Sequence, residues 1–218
     1  MSTILALDTC SQSMSIALME ESNLLAESTL RVGKNHSLYI VETLAKMMTD
    51  LSIGLEQIKA LGVTKGPGSY TGTRIAVTVA KTIAFACKVP LYSSSSLRLL
   101  AMNGYYFPGL VLSCFDARGE RLYAALYQQN LTKEVLSEKV YPIAELIAYI
   151  APLRESILVL GELPDKLITL FKKELGSKIL FGAGADNKTH ASRLAQLTAE
   201  QIMQAVVPEL LDFAPIYM

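Results

Sequence analysis

The chain has 218 residues, which suits one large domain or two domains of about 100 residues. Twenty Lys and Arg residues balance twenty Asp and Glu residues, and this near-zero net charge argues against a protein that holds nucleic acid by its own field. Three scattered cysteines without a C-x-x-C pair and only two histidines argue against a zinc site, whereas a hydrophobic content of 51% predicts an apolar association surface.

The chain opens with a predicted antiparallel meander of three strands. They are Thr3–Leu7, Met14–Met19 and Asn23–Leu30, and a polar turn after Asp8 separates the first two. The first apolar run is too short for a signal peptide, and the longer runs are interrupted before they would span a membrane. We therefore expect a soluble cytoplasmic protein in a reducing compartment.

A helix is predicted over His36–Leu51 and a further strand over Ile58–Thr64. The helix has two overlapping apolar stripes, because apolar residues recur at helical spacing from Leu38 and again from Ile40. Packing on one sheet requires a single stripe. This helix therefore has more apolar surface than one buried face needs.

A glycine-rich turn follows the fourth strand. Its glycines, Gly66, Gly68 and Gly72, fit neither the P-loop, which requires a Lys after the last glycine, nor the G-x-G-x-x-G dinucleotide fingerprint. A structural turn is therefore favoured over direct phosphate binding. Ser69 or Thr71 is placed to cap the helix that follows.

That helix, Gly72–Cys87, is apolar almost all round, and its only charged residues are Arg74 and Lys81. Small residues that permit close approach of another helix recur every four positions: Ala76, Ala80 and Ala84. Two interpretations stay open: a central helix of the protein's own core, or a helix with one side on the sheet and the other on a partner chain. Arg74 opposes the helix dipole and is predicted to pair with an acid.

The second half of the chain repeats this order of elements. A serine run, Ser93–Ser96, is predicted to cap a short helix through Ala101, and a strand over Val111–Phe115 then ends in Asp116. The elements predicted after it are strands Leu122–Tyr127 and Leu131–Val140, helix Pro142–Ile150, strand Ile157–Leu160, helix Leu163–Leu175, strand Lys178–Phe181 and helix Thr189–Val206.

These two halves predict an internal duplication. When Asp116 is aligned with Asp8, Ala124–Leu126 falls on Ile16–Leu18 without a gap. We predict an α/β protein of two βββαβα halves, each a mixed sheet flanked by helices, with one lobe over residues 1–105 and the other over 106–218.

This plan resembles the actin, sugar-kinase and heat-shock ATPase superfamily, whose lobes are ribonuclease H-like. The match narrows at four places: Asp8-Thr9, His36-Ser37, the segment GPGSYTGTR over residues 66–74, and Asp116-Ala117-Arg118. Together they resemble the TsaB (YeaZ) family of the threonylcarbamoyladenosine pathway of tRNA modification. The resemblance covers most of the chain and is strongest over residues 1–127.

The resemblance implies a non-catalytic partner subunit of the TsaD-containing complex that places threonylcarbamoyl on adenosine next to the anticodon of tRNAs. It implies a TsaD-like paralogue and a TsaE-like P-loop ATPase as partners, a homodimer when alone, and tRNA contact only through the complex. No cofactor is expected on the isolated chain, and ATP or ADP at an interface of the complex stays open. TsaD proteins hold a metal through two histidines on one helix; only His36 stands here, so no metal site is expected.

The family docks its partner through the two N-terminal helices, which here are His36–Leu51 and Gly72–Cys87. The interface residues implied by the resemblance and by the surplus apolar surface are His36, Ile40, Leu44, Met47, Arg74, Ala76, Val77, Ala80, Lys81 and Ala84. The tail lacks the arginine that ends the family's Pro-x-Tyr-Leu-Arg motif.

Two other functions stay open. In a stand-alone ATPase or small-molecule kinase, Asp8 and Asp116 would position a metal–nucleotide, although local Asx turns are the favoured role for both. In a peptidase, a nucleophile and a base would have to be paired, and no suitably spaced pair is apparent. Cys10 is the one candidate nucleophile, but no basic residue stands beside it in sequence to lower its pKa.

Overall fold

The computed structural model describes residues 3–131 and 133–216. In this part of the chain, ten strands form two five-stranded sheets and are accompanied by six α-helices. The strands are β1 (Thr3–Asp8), β2 (Ser13–Glu20), β3 (Asn23–Arg31), β4 (Ile58–Thr64), β5 (Leu91–Ser94), β6 (Leu110–Asp116), β7 (Arg121–Tyr127), β8 (Glu134–Pro142), β9 (Ile157–Leu160) and β10 (Ile179–Phe181). The helices are α1 (His36–Asp50), α2 (Tyr70–Cys87), α3 (Ser96–Ala101), α4 (Ile143–Ile150), α5 (Asp165–Leu175) and α6 (Ala191–Met203).

Both sheets are mixed and have the same topology. The first has the order β3-β2-β1-β4-β5 and the second the order β10-β9-β6-β7-β8, which is the same arrangement read from the other edge. In each sheet the first three strands pair antiparallel, and the later strands add parallel to the first strand through helical crossovers. The predicted α/β fold of duplicated mixed sheets is confirmed.

The serine run departs from the prediction. Ser93 and Ser94 belong to the short parallel strand β5, which pairs with β4, and they do not cap a helix. Ser95 is the cap of α3, since its hydroxyl accepts hydrogen bonds from the backbone N–H groups of Leu97 and Arg98 at 3.1 and 3.3 Å. Sequence analysis did not predict β5, because this short segment forms a strand only by pairing with β4, which is distant in the chain.

Two further predictions lie partly outside the described residues. Thr132, inside the strand predicted over Leu131–Val140, lies outside the described residues, and β8 begins at Glu134. Tyr217 and Met218, the end of the tail that resembles the family motif, also lie outside them.

The first sheet carries helices on both faces. Apolar side chains of β1 and β2, such as Leu5, Leu7 and Ile16, pack with α1 and α2 in one core cluster. The opposite face is covered by α6, whose Thr198 and Leu194 lie against Gly62 of β4. The second sheet packs α4 and α5 on one face through residues that include Leu112, Leu146 and Phe171.

The chain divides into two compact units. The first unit comprises the described residues up to Leu99 together with those from Thr189 onward, and the second unit comprises Leu100–Lys188. This differs from the expected lobes over residues 1–105 and 106–218. The reason is α6, which follows the second half in sequence but packs on β1, β2 and β4 of the first sheet.

The gap-free alignment of the two halves is wrong by one residue. Asp8 pairs with Ser15 across the first hairpin, whereas Asp116 pairs with Leu122, so the second hairpin loop is one residue shorter. Side chains alternate between the two faces of a strand. Leu7 faces the core formed with α1 and α2, so the next residue, Asp8, lies on the opposite face of the first sheet. Cys114 faces the core formed with α4 and α5, so Asp116, two residues later, lies on the same face as that core.

No helix in the described residues is both long enough and apolar enough to cross a membrane.

Candidate functional site

The start of α2 is fixed by the two residues that directly follow β1. The Thr9 hydroxyl donates to the carbonyl of Gly72 at 2.6 Å and accepts a hydrogen bond from the N–H of Ala76 at 3.2 Å. Ser69 caps the helix, because its hydroxyl accepts a hydrogen bond from the N–H of Gly72 at 3.2 Å, and its own N–H donates to the carbonyl of Cys10 at 2.7 Å. Helix α2 therefore has a tightly specified position on the sheet.

The glycines of the loop permit these close approaches. A Cβ on Gly72 would lie 2.1 Å from the carbonyl oxygen of Thr9, and a Cβ on Gly68 would lie 2.3 Å from that of Cys10. Gly66 has a φ of +98°, a conformation that other residues rarely adopt. Its carbonyl accepts a hydrogen bond from the N–H of Ser96 at 3.0 Å. The conformation of the loop is therefore determined by contacts within its own unit.

Most of the residues that sequence analysis placed in a partner interface face the protein's own core. Eight of the ten are buried: His36, Ile40, Leu44, Met47, Ala76, Val77, Ala80 and Ala84. The small-residue stripe of α2, with Ala76 and Ala80 at 0% exposure, packs against the first sheet and not against a second chain. The prediction that these eight residues contact a partner is therefore wrong, because a side chain buried in its own unit offers no surface for a partner.

The other two lie at the outer side of α2. Arg74 is exposed, and its guanidinium lies 4.3 Å above the ring of Tyr70. Lys81 is half-buried and donates to the carbonyl of Phe213 in the C-terminal tail. The expected partnership of Arg74 with an acid stays a prediction.

The outward faces of α1 and α2 carry a different set of apolar side chains. Leu38 is 68% exposed and Val41 is 59% exposed on α1, and Phe85 is 74% exposed near the end of α2. Leu38 and Val41 belong to the apolar stripe that begins at Leu38 in the sequence. The helical period revealed both stripes of α1, but it did not show which of them faces the sheet.

His36 is almost completely buried at the first position of α1. It is 3% exposed, and its Nε2 atom has no hydrogen-bond partner among the described residues. Groups of three or more His, Cys, Asp or Glu side chains that could hold a metal ion are not found in the described part of the chain.

Asp8 is fully buried at the end of β1 and is held by polar groups of the first unit. Its carboxyl accepts hydrogen bonds from the hydroxyls of Thr64 and Thr189, the second at 2.5 Å, and from the N–H of Cys10 at 3.3 Å. This last bond is the Asx turn that the sequence favours. Thr189 was not found by sequence analysis, because it comes from the segment before α6, 181 residues away.

Asp116 is exposed at the end of β6. Its carboxyl accepts a hydrogen bond from the N–H of Arg118 at 2.8 Å, which is again an Asx turn. The two aspartates therefore share a local turn but differ in burial and in partners. The arrangement at Asp8 ties β1, β4 and the start of α6 together.

The thiol of Cys10 lies next to this cluster. Burial and the neighbouring charge of Asp8 raise the pKa of Cys10 well above its usual value. Burial also raises the pKa of Cys114 in the second unit to about 12. At neutral pH both thiols are protonated, and a protonated thiol is a poor nucleophile.

Two mixed sheets of the same topology, each with a helix pair on one face and an aspartate at the end of its first strand, define a duplicated α/β protein. A family model described as TsaD, tRNA N6-adenosine threonylcarbamoyltransferase, matches residues 26–218. The "tRNA threonylcarbamoyladenosine biosynthesis protein TsaB" of Bacillus subtilis (strain 168) is 34% identical over 97% of this chain and 95% of its own length. The chain therefore belongs to the TsaB (YeaZ) family, and the TsaD family model also matches most of its length. The predicted resemblance is confirmed.

Other relatives agree with this assignment. The protein of the same name from Escherichia coli (strain K12) is 32% identical over 58% of this chain and 55% of its own. The structure of YeaZ from Pseudomonas aeruginosa superposes with a TM-score of 0.81 over 100% of both chains at 24% sequence identity, and this likeness shows the fold. A second structure with the same TM-score is described as an uncharacterized protein with similarity to peptidase YEAZ from Pseudomonas aeruginosa.

Proposed function

We propose that this chain is a non-catalytic partner subunit in the threonylcarbamoylation of the adenosine next to the anticodon of tRNAs. In this proposal it binds a TsaD-like paralogue through the outward faces of α1 and α2. The names of its relatives place those proteins in threonylcarbamoyladenosine biosynthesis, which supports the pathway. The docking role is supported by the chain itself.

The observation that carries the docking role is the exposed apolar surface of α1. Leu38 and Val41 lie one helical turn apart and are more than half exposed, although the opposite side of the same helix fills the core. Full burial of each such side chain contributes about 1.5–3 kcal/mol. A helix with an apolar outer face on a soluble unit is typical of an association surface.

The same face supports the proposed homodimer of the isolated chain, since a free apolar surface is covered by whatever copy or partner is present. A TsaE-like P-loop ATPase, and ATP or ADP at an interface of the complex, belong to the proposal as partners of the assembled complex. Contact with tRNA is proposed to occur only through that complex.

The absence of a catalytic role is supported by how the candidate groups are engaged. Asp8 is enclosed by hydroxyl and N–H donors, so it has no surface on which a metal–nucleotide would sit. Asp116 is exposed and bonded in a turn, and the buried thiols are protonated at neutral pH. These features favour a subunit that supplies a surface over a stand-alone ATPase or a peptidase.

The proposal is tested by measuring the affinity of this chain for the TsaD-like paralogue of the same organism. Val41→Asp places a charge on the outward face of α1 without entering the core, and we expect binding to weaken at least tenfold. Leu180→Asp is the matched control, because Leu180 is 47% exposed on the second unit, and this variant should bind like the wild type. Unchanged affinity of Val41→Asp would refute docking through this face.

Variants of the small-residue stripe are unsuitable for this test. Ala76→Glu and Ala80→Asp would place a carboxylate in the core, so any loss of binding would report misfolding. The ATPase alternative is tested separately by calorimetry with ATP and magnesium. Tight binding by the isolated chain that is lost in Asp8→Ala, while this variant stays folded at the assay temperature, would favour the ATPase over the proposed role.

A further inference from the structure

The segment after α6 returns across the first unit. Residues 209–216, here called the strap, pass β5, the end of β4 and the outer side of α2, and each of these is reached by a separate anchor. The strap and the end of α2 form the walls of an open groove of about 470 Å³. The strap thus touches the elements that determine where α2 lies.

The first anchor is Glu209. Its backbone N–H donates to the carbonyl of Leu91 on the outer strand β5 at 2.8 Å. Its carboxylate accepts from the hydroxyl of Ser93 and forms an ion pair with Lys65 at 3.3 Å. Lys65 is the residue immediately before the glycine-rich loop, so this anchor joins the sheet edge to the start of the loop.

The second anchor connects the strap to α2 itself. The ammonium group of Lys81 donates to the carbonyl of Phe213 and lies 4.8 Å from the centre of the Phe213 ring. Phe213 in turn packs against the core cluster of the first unit. A cation held by both a carbonyl and an aromatic face fixes the distance between α2 and the strap.

The third anchor is at the glycine-rich loop. The N–H of Ile216 donates to the carbonyl of Lys65 at 2.7 Å. The carbonyl oxygen of Ile216 lies so near Gly66 that a Cβ there would be 2.7 Å away. The strap therefore covers the backbone of the loop directly.

Apart from Phe213, the apolar side chains of the strap contribute little burial. Leu210 is 73% exposed and Leu211 is 44% exposed. A segment with few buried apolar side chains and several separate polar anchors belongs to the low-stability end of a fold, where local opening occurs without global unfolding.

We propose that the strap is a reversible clamp that holds the glycine-rich loop and α2 in place, so that its release loosens the α2 part of the docking face. The clamp itself follows from the three anchors. Its effect on docking rests on the proposed function of that face. A partner that binds the ordered face would bind more weakly whenever the strap is open, since only the competent fraction of molecules contributes to affinity.

The clamp is tested by hydrogen exchange of the full chain followed by mass spectrometry. In Lys81→Met and in Glu209→Gln we expect amide exchange over residues 65–81 to rise about tenfold, the ratio that corresponds to loss of one charge-assisted hydrogen bond. Exchange in the second unit, at β6 and β9, should stay unchanged. Exchange that rises only within residues 209–216 would overturn the clamp, because release of the strap would then leave the loop and α2 unchanged.

Two further variants keep this test decisive. Lys172→Met is the matched control, because Lys172 lies 5.7 Å from the ring of Phe181 in the second unit, and this variant should leave residues 65–81 unchanged. Lys81→Arg retains a cation with donors and should restore most of the protection that Lys81→Met loses. If Lys81→Arg exchanges as fast as Lys81→Met, the anchor is not electrostatic and the proposal is wrong.

Affinity for the TsaD-like paralogue separates failure of the clamp from failure of the proposed function. Lys81→Met and Glu209→Gln should weaken binding, by at most the factor by which their exchange rises, while leaving Val41 and its surroundings unaltered. If the wild-type chain does not bind the paralogue, the proposed function fails and the exchange result still decides the clamp. Faster exchange over residues 65–81 with unchanged affinity would overturn the link between the strap and docking.

Discussion

The two units share one strand order, yet the aspartates that end their first strands have opposite surroundings. In the first unit Asp8 is fully buried on the sheet face that α6 covers, and two threonine hydroxyls donate to it. In the second unit Asp116 is exposed and accepts its bond from the nearby N–H of Arg118. Asp8 directly follows the core residue Leu7, whereas Asp116 lies two residues after the core residue Cys114, so alternation along the strands places the two carboxyls on different faces.

The backbone crossings are preserved where the side chains differ. A Cβ on Gly68 would lie 2.3 Å from the carbonyl oxygen of Cys10, and a Cβ on Gly161 would lie 2.1 Å from that of Cys114. In both units a glycine after a parallel strand therefore lets the chain pass close to the end of the first strand. These close contacts occur in both units, whereas the partners of the two aspartates differ.

The largest effect expected concerns the cysteines, for which the two units should behave alike. Because burial raises the pKa of Cys114 to about 12 and raises that of Cys10 well above the usual value, few thiolates are present at pH 8. Iodoacetamide should alkylate Cys114 about a thousandfold more slowly than an ordinary thiol, and Cys10 should also react much more slowly than an ordinary thiol. Mass spectrometry of timed samples measures this, with protein in guanidinium as the control. Rapid labelling of native Cys10 would restore it as a candidate nucleophile.

The next effect should separate the units. Asp8→Ala leaves two buried hydroxyls and a backbone N–H without their acceptor, and we expect the free energy of unfolding of the first unit to fall by about 2–4 kcal/mol. Asp116→Ala should cost less than about 1 kcal/mol, because water replaces the lost acceptor. Urea denaturation monitored by hydrogen exchange assigns each loss to a unit. Equal losses would mean that the contrast between the two aspartates is wrong.

A third prediction concerns only the second unit. The Lys178 ammonium donates to the carbonyls of Ile150, Ala151 and Leu153 at 2.8, 2.6 and 2.9 Å, so it caps the end of α4. Lys178→Met should destabilise this unit by about 1.5–3 kcal/mol, measured in the same urea experiment. The control is Lys173→Met, which removes an exposed ion pair with Glu174 and should cost at most about 0.5 kcal/mol. If both variants cost the same, the cap contributes nothing specific.

The smallest effect is a dependence on pH in the first unit. Burial by itself would raise the pKa of Glu27, but hydrogen bonds from His190 and from the N–H and hydroxyl of Ser192 outweigh it and lower that pKa. A carboxyl whose pKa is lowered by folding stabilises the folded state above its unfolded pKa, near 4.5, and this stability is lost as the pH falls through the folded pKa. The contact at the start of α6 should therefore weaken in acid.

This dependence is measured as the difference in unfolding free energy between wild type and Glu27→Gln at pH 7 and at pH 4. The difference should be larger at pH 7 and should shrink as the carboxylate becomes protonated. A difference that does not change between the two pH values would show that the charge of Glu27 does not support α6.

Much of the fold could be predicted because its elements are defined by local patterns. The period of apolar residues placed α1 to within one residue of its end, and the serine–glycine pattern placed the start of α2 to within two residues. Strand β5 could not be predicted, since its four residues pair only with a distant strand. The sequence predicted that α1 and α2 form the candidate site. Most of the residues it chose on these helices belong to the buried faces and not to the exposed ones.

The sequence by itself determined the duplicated order of strands and helices, the glycine loop and the family, because these depend on spacing along the chain. Tertiary structure alone decided three matters: which apolar stripe of α1 faces the sheet, which unit α6 completes, and what surrounds Asp8. Each of these depends on contacts between segments far apart in sequence. Thr189 and Asp8 meet across 181 residues, and no local pattern records such a contact.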